Sequence, residues 1–199
     1  MFGISKSVGN IGKRVKMSIN RELNEKLIRA LACLSRLDSY AGTRFQDDLK
    51  KTLFFLVAKN GNVDGMEVLL SHGIGVNIQN EEGWTALKVA AAYGRMQMVL
   101  FLMANGADLD IQDQKGWTPL MSAVNEGNFN CAQFLIDHGA DVLKKDKEGK
   151  DAYSIAMQKG YGYLGDLIKS AVRKQMKEGK IASRSSLGGK NKTGGYARD

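Results

Sequence analysis

The stretch GWTAL at residues 83–87 decides the fold, because it returns as GWTPL at residues 116–120, 33 positions further along the chain. Another 33 positions lead to Gly149, with Tyr153 in the place of the final Leu. A fixed period of this length is typical of a solenoid, in which one small unit is repeated and stacked.

Several other residue series keep the same period. Three of them consist of glycine and one of alanine: Gly61, Gly94, Gly127 and Gly160; Gly73, Gly106 and Gly139; Gly83, Gly116 and Gly149; Ala90, Ala123 and Ala156. Glycine ends helices and opens turns without strain, and alanine lets neighbouring helices approach closely. The series therefore predict short helices separated by turns at constant spacing.

One unit can be read directly from its residues. Thr85 and Thr118 can cap a helix, and Pro119 stands at a first helical position, where its missing N–H costs nothing. A second helix follows Gly94, with apolar residues three and four positions apart on one face. A pair of helices this small cannot bury its own apolar face, so we expect each unit to stack on its neighbours.

These residues resemble the ankyrin repeat over residues 79–144. The order Gly, Thr-Pro-Leu, Ala, Gly, and then Gly-Ala-Asp at residues 106–108 and 139–141 carries the resemblance. It implies an all-α ankyrin-repeat solenoid of four units, at residues 46–78, 79–111, 112–144 and 145–177. The first and last units depart most from the pattern, as the ends of a solenoid do.

The resemblance also implies where a partner protein binds. Ankyrin proteins use the hairpin tips and the exposed face of each inner helix, on the concave side. The positions that match here are Glu81, Glu82, Trp84, Ala92, Tyr93, Gln114, Lys115, Trp117, Asn125, Glu126, Lys147, Glu148, Lys150, Gln158 and Lys159.

Trp84 and Trp117 are the sharpest candidates among these positions. Tryptophan and tyrosine are enriched at interface hot spots, and two stacked rings with Tyr93 nearby would form an aromatic ridge. The alternative is that each ring packs against its own turn and the adjacent hairpin. The sequence leaves both interpretations open.

The net charge of +8 is carried by the two ends of the chain. Residues 1–20 carry four basic and no acidic residues, and residues 169–199 carry nine basic and two acidic ones, whereas the middle is mildly acidic. Candidate contacts to an anionic partner are Lys6, Lys13, Arg14, Lys16, Arg173, Lys174, Lys177, Lys180, Arg184, Lys190 and Lys192.

The segments outside the repeats have their own interpretations. Residues 1–19 form a basic arm, either disordered or an amphipathic helix that lies on a membrane or targets an organelle. Residues 20–45 carry a leucine stripe that predicts an N-terminal capping helix, or alternatively a helix for a partner. Residues 178–199 form a basic tail rich in Gly, Ser and Lys, which we expect to be disordered when free.

The residues that could carry chemistry form no catalytic constellation and no expected metal or cofactor site. His72 and His138 occupy the same position two units apart, too far from each other to share a metal. Cys33 and Cys131 are too few for a disulfide framework, which favours a cytoplasmic or other intracellular location. No apolar run is long enough to span a bilayer.

These observations lead to one hypothesis and one alternative. The chain is a non-catalytic adaptor or assembly subunit, which binds a protein on its concave face and a second, anionic partner through its basic ends. The alternative is association with nucleic acid or a membrane surface through the ends alone.

Overall fold

The computed structural model describes Lys26 and residues 43–177, and within that range it contains eight helices and no strand. The helices are α1 (Thr43–Asn60), α2 (Val63–Ser71), α3 (Ala86–Ala92), α4 (Met96–Ala104), α5 (Pro119–Asn125), α6 (Phe129–Asp137), α7 (Ala152–Gln158) and α8 (Gly162–Lys177). They form four successive antiparallel pairs. The all-α solenoid predicted from the sequence is confirmed.

The inner helices begin where the sequence predicts. The hydroxyl oxygens of Thr85 and Thr118 accept hydrogen bonds from the backbone N–H three residues on, both at 3.2 Å. Asp151 replaces threonine in the last unit, and its carboxylate accepts the N–H of Ser154 at 2.8 Å. Because a carboxylate caps a helix as well as a hydroxyl does, this departure from the repeat pattern leaves the helix start unchanged.

The helices form two rows. The inner helices α1, α3, α5 and α7 pack side by side, and the outer helices α2, α4, α6 and α8 cover them. Residues one period apart fill the space between the rows and are almost completely buried: Phe54, Leu87 and Leu120 on the inner helices, and Leu69, Leu102, Leu135 and Ile168 on the outer ones. The core is therefore one continuous strip shared by all the units.

The first helix is longer than the repeat boundary implies. We placed the boundary between the capping helix and the first unit at residues 45 and 46, but α1 runs through it from Thr43. Residues 43–51 contain no glycine, proline or hairpin sequence, so nothing ends a helix there. The predicted arm at 1–19 and most of the capping helix at 20–45 lie outside the described residues, as does the tail at 178–199.

The last outer helix in the described part of the chain is longer than the other outer helices. Val172 stands where the earlier units have Gly73, Gly106 or Gly139, and α8 continues past it to Lys177. The added turns bring in Gln175, which is buried and donates a hydrogen bond from Nε2 to the carbonyl of Ala140 at 2.9 Å. A side chain from α8 thus satisfies backbone at the end of the preceding unit.

The hairpins between units are built on one repeated polar side chain. The Oδ1 atom of Asn80, Asp113 or Asp146 accepts two backbone N–H groups, two and four residues on, at 2.8–3.1 Å. Such bonds hold a turn closed. Adjacent hairpins are then joined by backbone bonds, from Gln114 N–H to Glu82 at 3.1 Å and from Lys147 N–H to Lys115 at 3.0 Å.

The close approach of the hairpins requires glycine at residue 116. Gly116 has a φ of 81°, and a Cβ atom built there would lie 2.9 Å from both Asp146 Cα and Lys147 N of the next hairpin. Gly149, one period on, has almost the same φ of 80° but no atom within 4 Å of the same position. A side chain at either glycine would therefore strain the backbone, but only one at residue 116 would also clash with the next hairpin.

We expect Gly116→Ala to destabilise the protein by about 1–3 kcal/mol more than Gly149→Ala in urea unfolding. Both variants carry the positive-φ penalty of about 1–2 kcal/mol, but only the first forces two backbones apart. Equal losses in the two variants would show that the hairpins do not rest on each other as described.

Candidate functional site

Three clefts follow one another between the hairpins and the inner helices. Their volumes are about 780, 310 and 540 Å³, from the first pair of units to the last. Glu82 lines both the first and the second cleft, and Lys115 and Trp117 line both the second and the third. The clefts are therefore parts of one surface, which we call the hairpin groove.

Most of the predicted partner-binding residues line this groove. Glu81 and Glu82 lie in the first cleft, and the second adds Trp84, Gln114, Lys115, Trp117 and Glu126. Asn125, Lys147, Glu148, Lys150, Gln158 and Lys159 line the third. The structure thus places these positions on one surface, whereas whether they bind a partner stays a prediction.

Tyr93 lies apart from the other candidates. It follows the last residue of α3, is 44% exposed, and lines none of the three clefts. The Nζ atom of Lys59, in the preceding unit, lies 5.0 Å from the centre of its ring. Tyr93 therefore does not join the aromatic ridge inferred from the sequence, and the rings of Trp84 and Trp117 do not stack on each other but flank Lys88.

Trp84 and Trp117 both pack on the core and line the second cleft. The Nε1–H of Trp117 donates to Oδ2 of Asp146 at 3.1 Å, which ties the ring to the next hairpin. The two interpretations of the tryptophans do not exclude each other, because each half-buried ring uses one side for packing and offers the other to the cleft.

A buried lysine stands between the two rings. The Nζ atom of Lys88 lies 4.9 Å from the ring centre of Trp84 and 6.0 Å from that of Trp117. The lysine is only 3% exposed and donates a short hydrogen bond to Oδ2 of Asp113. Lys88 and Asp113 join the inner helix of one unit to the hairpin of the next.

Sequence reasoning missed this ion pair. Its signal is a charge inside an otherwise apolar inner helix, at a position where the next unit has Met121. The partner of Lys88 cannot be recognised in the sequence, because Asn80, Asp113 and Asp146 all form the same turn through Oδ1. Only the structure shows that the second oxygen is free to take different donors, Lys88 at Asp113 and the indole of Trp117 at Asp146.

Burial and the ion pair act on the two pKa values in opposite ways. Burial lowers the pKa of Lys88, and the bond to Asp113 offsets only part of that shift. Burial alone would raise the pKa of Asp113, but the Lys88 ammonium and the N–H groups of Trp117 and Lys115 outweigh it, so this pKa lies below its usual value.

The groove changes charge along its length. The first cleft is lined by Glu81, Glu82 and Lys51, and in the second the charge of Lys88 is balanced by Asp113. The third is lined by two acidic residues, Asp146 and Glu148, and by four lysines: Lys115, Lys147, Lys150 and Lys159. The groove therefore runs from an acidic end to a basic end.

The other candidates for chemistry have structural roles. His72 and His138 each hold Nδ1 2.8 Å from the carbonyl four residues earlier, at the end of α2 or α6. Cys131 is buried, and burial raises the pKa of its thiol, which keeps it in the unreactive form. Within residues 43–177, no three His, Cys, Asp or Glu side chains are grouped to hold a metal ion. Cys33 lies outside the described residues.

Only part of the predicted anionic-partner set falls within the structure. Arg173, Lys174 and Lys177 lie exposed on α8. The remaining candidates lie outside the described residues: Lys6, Lys13, Arg14, Lys16, Lys180, Arg184, Lys190 and Lys192. None of the helices between residues 43 and 177 is both long and apolar enough to cross a membrane.

We expect Lys88→Met to destabilise the protein by about 2–4 kcal/mol, because it leaves a carboxylate oxygen buried without its cation. Adding Asp113→Asn should restore most of the loss, since Met121 and Asn80 occupy these positions in other units. Chemical unfolding of the two single variants and the double variant measures this coupling. A double variant as unstable as the sum of the singles would contradict the pairing.

We also expect the effect of Asp113→Asn to depend on pH. A carboxyl whose folded pKa is depressed stabilises the protein above its unfolded pKa, and this contribution is lost as the pH falls through the folded pKa. The difference in unfolding free energy between the original protein and Asp113→Asn should therefore be largest near neutral pH and shrink below about pH 4. The exposed Asp137→Asn serves as the control for net charge, and an Asp113→Asn difference that is constant with pH would contradict the assignment.

Comparison with known families agrees with this architecture. A family model described as ankyrin repeats (3 copies) matches residues 18–113 and, overlapping them, residues 94–176. A comparison with curated proteins gives no match to the chain. Ankyrin repeats are generally protein–protein interaction modules and are typically non-catalytic. Since the two matched segments together extend from residue 18 to residue 176, the chain belongs to the ankyrin-repeat family.

Proposed function

We propose that the chain is a non-catalytic adaptor or assembly subunit that binds a partner protein in the hairpin groove. The observation that carries this proposal is the second cleft, where two half-buried tryptophan rings flank a neutralised ion pair. Aromatic side chains that are held rigidly by their own packing lose little freedom on binding and make effective anchors.

The surroundings of the rings also suit a protein partner. Glu82, Gln114, Lys115 and Glu126 are exposed around the cleft and form a polar rim. An apolar centre with a polar rim is the usual arrangement of a protein interface. The rim residues lie on hairpins that backbone bonds fix to one another, so the surface is preorganised.

We expect Trp84→Ala/Trp117→Ala to weaken binding of the partner by about 2–4 kcal/mol in calorimetry, because both anchors of the cleft are lost. Tyr163→Ala is the matched control, since Tyr163 is an aromatic residue that is 64% exposed on α8 and lines none of the three clefts. Because truncation of Trp117 also removes its bond to Asp146, circular dichroism and urea unfolding must show that the double variant is folded.

A second pair of variants keeps the test independent of folding. A photo-reactive phenylalanine analogue at the exposed Glu126 places a crosslinker in the second cleft, and the same analogue at Tyr163 places it on the outer helix. The proposal requires the partner to crosslink at residue 126 and not at residue 163. Crosslinking at residue 163 alone would move the binding surface away from the groove.

The second part of the proposal concerns the basic ends. A second, anionic partner would bind at the strongly basic C-terminal region, which begins on α8 with Arg173, Lys174 and Lys177.

If that partner is a duplex nucleic acid, the logarithm of the binding constant should fall by about 0.9 per phosphate contact for each unit of the logarithm of the salt concentration. Removing residues 1–19 and 178–199 leaves only Arg173, Lys174 and Lys177 of the candidate contacts, so it should weaken this binding strongly and leave the groove partner bound. A gel shift that is unchanged by the deletion would disprove a role of these segments.

A further inference from the structure

We propose that the third cleft of the hairpin groove takes a carboxylate-rich, extended segment of the partner protein. This inference rests on the proposed function and adds the chemistry of the segment that is bound. The lysines of the cleft, the apolar surface beneath them and the engagement of the nearby carboxylates support it.

The acidic side chains of this cleft are already used within the protein. Oδ1 of the buried Asp146 accepts the N–H groups of Glu148 and Lys150, and Oδ2 accepts the indole N–H of Trp117. Glu148 pairs with Lys150 at 2.9 Å, and the hydrogen bond raises the pKa of this lysine. Asp146 accepts only neutral N–H donors and keeps its charge, so the four lysines and two carboxylates that line the cleft give it a net charge of +2.

Three ammonium groups of the cleft are not paired directly with a carboxylate. Lys115, Lys147 and Lys159 are exposed, and none of them pairs with a carboxylate of residues 43–177. The backbone bond from Lys147 N–H to the carbonyl of Lys115 fixes two of these lysines on adjacent hairpin tips. Like charges held side by side repel each other, and a bound anion between them removes that cost.

The cleft also offers apolar surface, mainly from one ring. Trp117 and Ile155 line the same cleft, but Ile155 is only 3% exposed, so the half-buried Trp117 presents most of that surface. A segment that carries carboxylates and one aliphatic side chain would match both parts of the cleft. An extended conformation suits it because the groove runs across the stacked units rather than along one helix.

The same charges disfavour a nucleic acid in the groove. A phosphate backbone long enough to leave the third cleft would meet Glu126 and Glu82 in the second and Glu81 in the first. Its uniform negative charge does not match a groove that becomes acidic within two units. A peptide can place its carboxylates at one end only, and this difference favours a protein segment.

The test uses the full chain and a short fluorescein-labelled peptide rich in Asp and Glu with one central Leu. The matched peptide has Asn and Gln in place of the acidic residues, and a single-stranded RNA oligonucleotide of similar charge is the third probe. Fluorescence anisotropy at moderate salt measures each affinity. We expect the acidic peptide to bind and the neutral peptide not to bind, with an affinity for the acidic peptide that falls as salt rises. Any RNA bound through the basic ends should keep its affinity when the lysines of the third cleft are changed.

Two charge-reversal variants of equal net charge locate the site. Lys147→Glu/Lys159→Glu should weaken the acidic peptide about tenfold, because two favourable charges become unfavourable. Lys59→Glu/Lys169→Glu, which lies outside the three clefts, should change the affinity less than about twofold. The lysines of both pairs are exposed, so urea unfolding of each variant should match that of the unchanged chain.

Four results would overturn the inference. They are equal weakening by the two double variants, equal binding of the neutral peptide, a loss of RNA affinity in Lys147→Glu/Lys159→Glu as large as that of the acidic peptide, and no binding of the acidic peptide. The crosslinker at residue 126 separates this failure from that of the proposed function. The same analogue at the exposed Gln158 places a crosslinker in the third cleft. A partner that is captured at residue 126, and at residue 158 through a neutral or basic segment, overturns the acidic-segment inference but leaves the groove as a protein-binding surface, whereas no capture at either residue removes both.

Discussion

The whole structure depends on the fact that no helix pair can bury its own apolar face. Each short inner helix, such as α3 or α5, is buried only because an inner helix lies on each side of it and an outer helix covers it. The hairpins follow from the same constraint, because stacked helices bring the hairpins close enough for backbone bonds between them. The groove is the surface that this stacking leaves between hairpins and inner helices. Its position is therefore fixed by the core.

The fold could be predicted because its determinants are local and recur. Thr85, Thr118 and Pro119 start helices by interactions within one turn, and a fixed period places them without knowledge of long-range contacts. The start of α1 could not be placed, because the first unit has no cap at Thr52 and residues 43–51 continue the helix. The helix α8 continues past the usual end of an outer helix for a similar reason. Val172 stands there in place of the glycine that ends the earlier outer helices.

The groove could be predicted as a set of positions but not as a set of interactions. Hairpin tips and inner helices carry most of the candidate residues, as the period requires. Tyr93 lies outside the clefts because it follows the last residue of α3, at the far end of that helix from the hairpin. The pair of Lys88 and Asp113 joins residues in different units, and a turn-forming aspartate gives no sign of what its second oxygen accepts. Such contacts depend on distances in space between units, and the repeat period of the sequence does not reveal these distances.

The bond from Gln175 to Ala140 has a consequence for how the chain can lengthen. At the junctions between earlier units, a glycine releases the chain after the outer helix, and a new hairpin begins. At this last junction the helix continues, and its glutamine bonds to backbone of the preceding unit. A unit duplicated directly after α8 would therefore lack the glycine that leads the chain from an outer helix into a new hairpin. Duplication of an earlier unit would carry that glycine with it, so the array can grow from within by copying its middle.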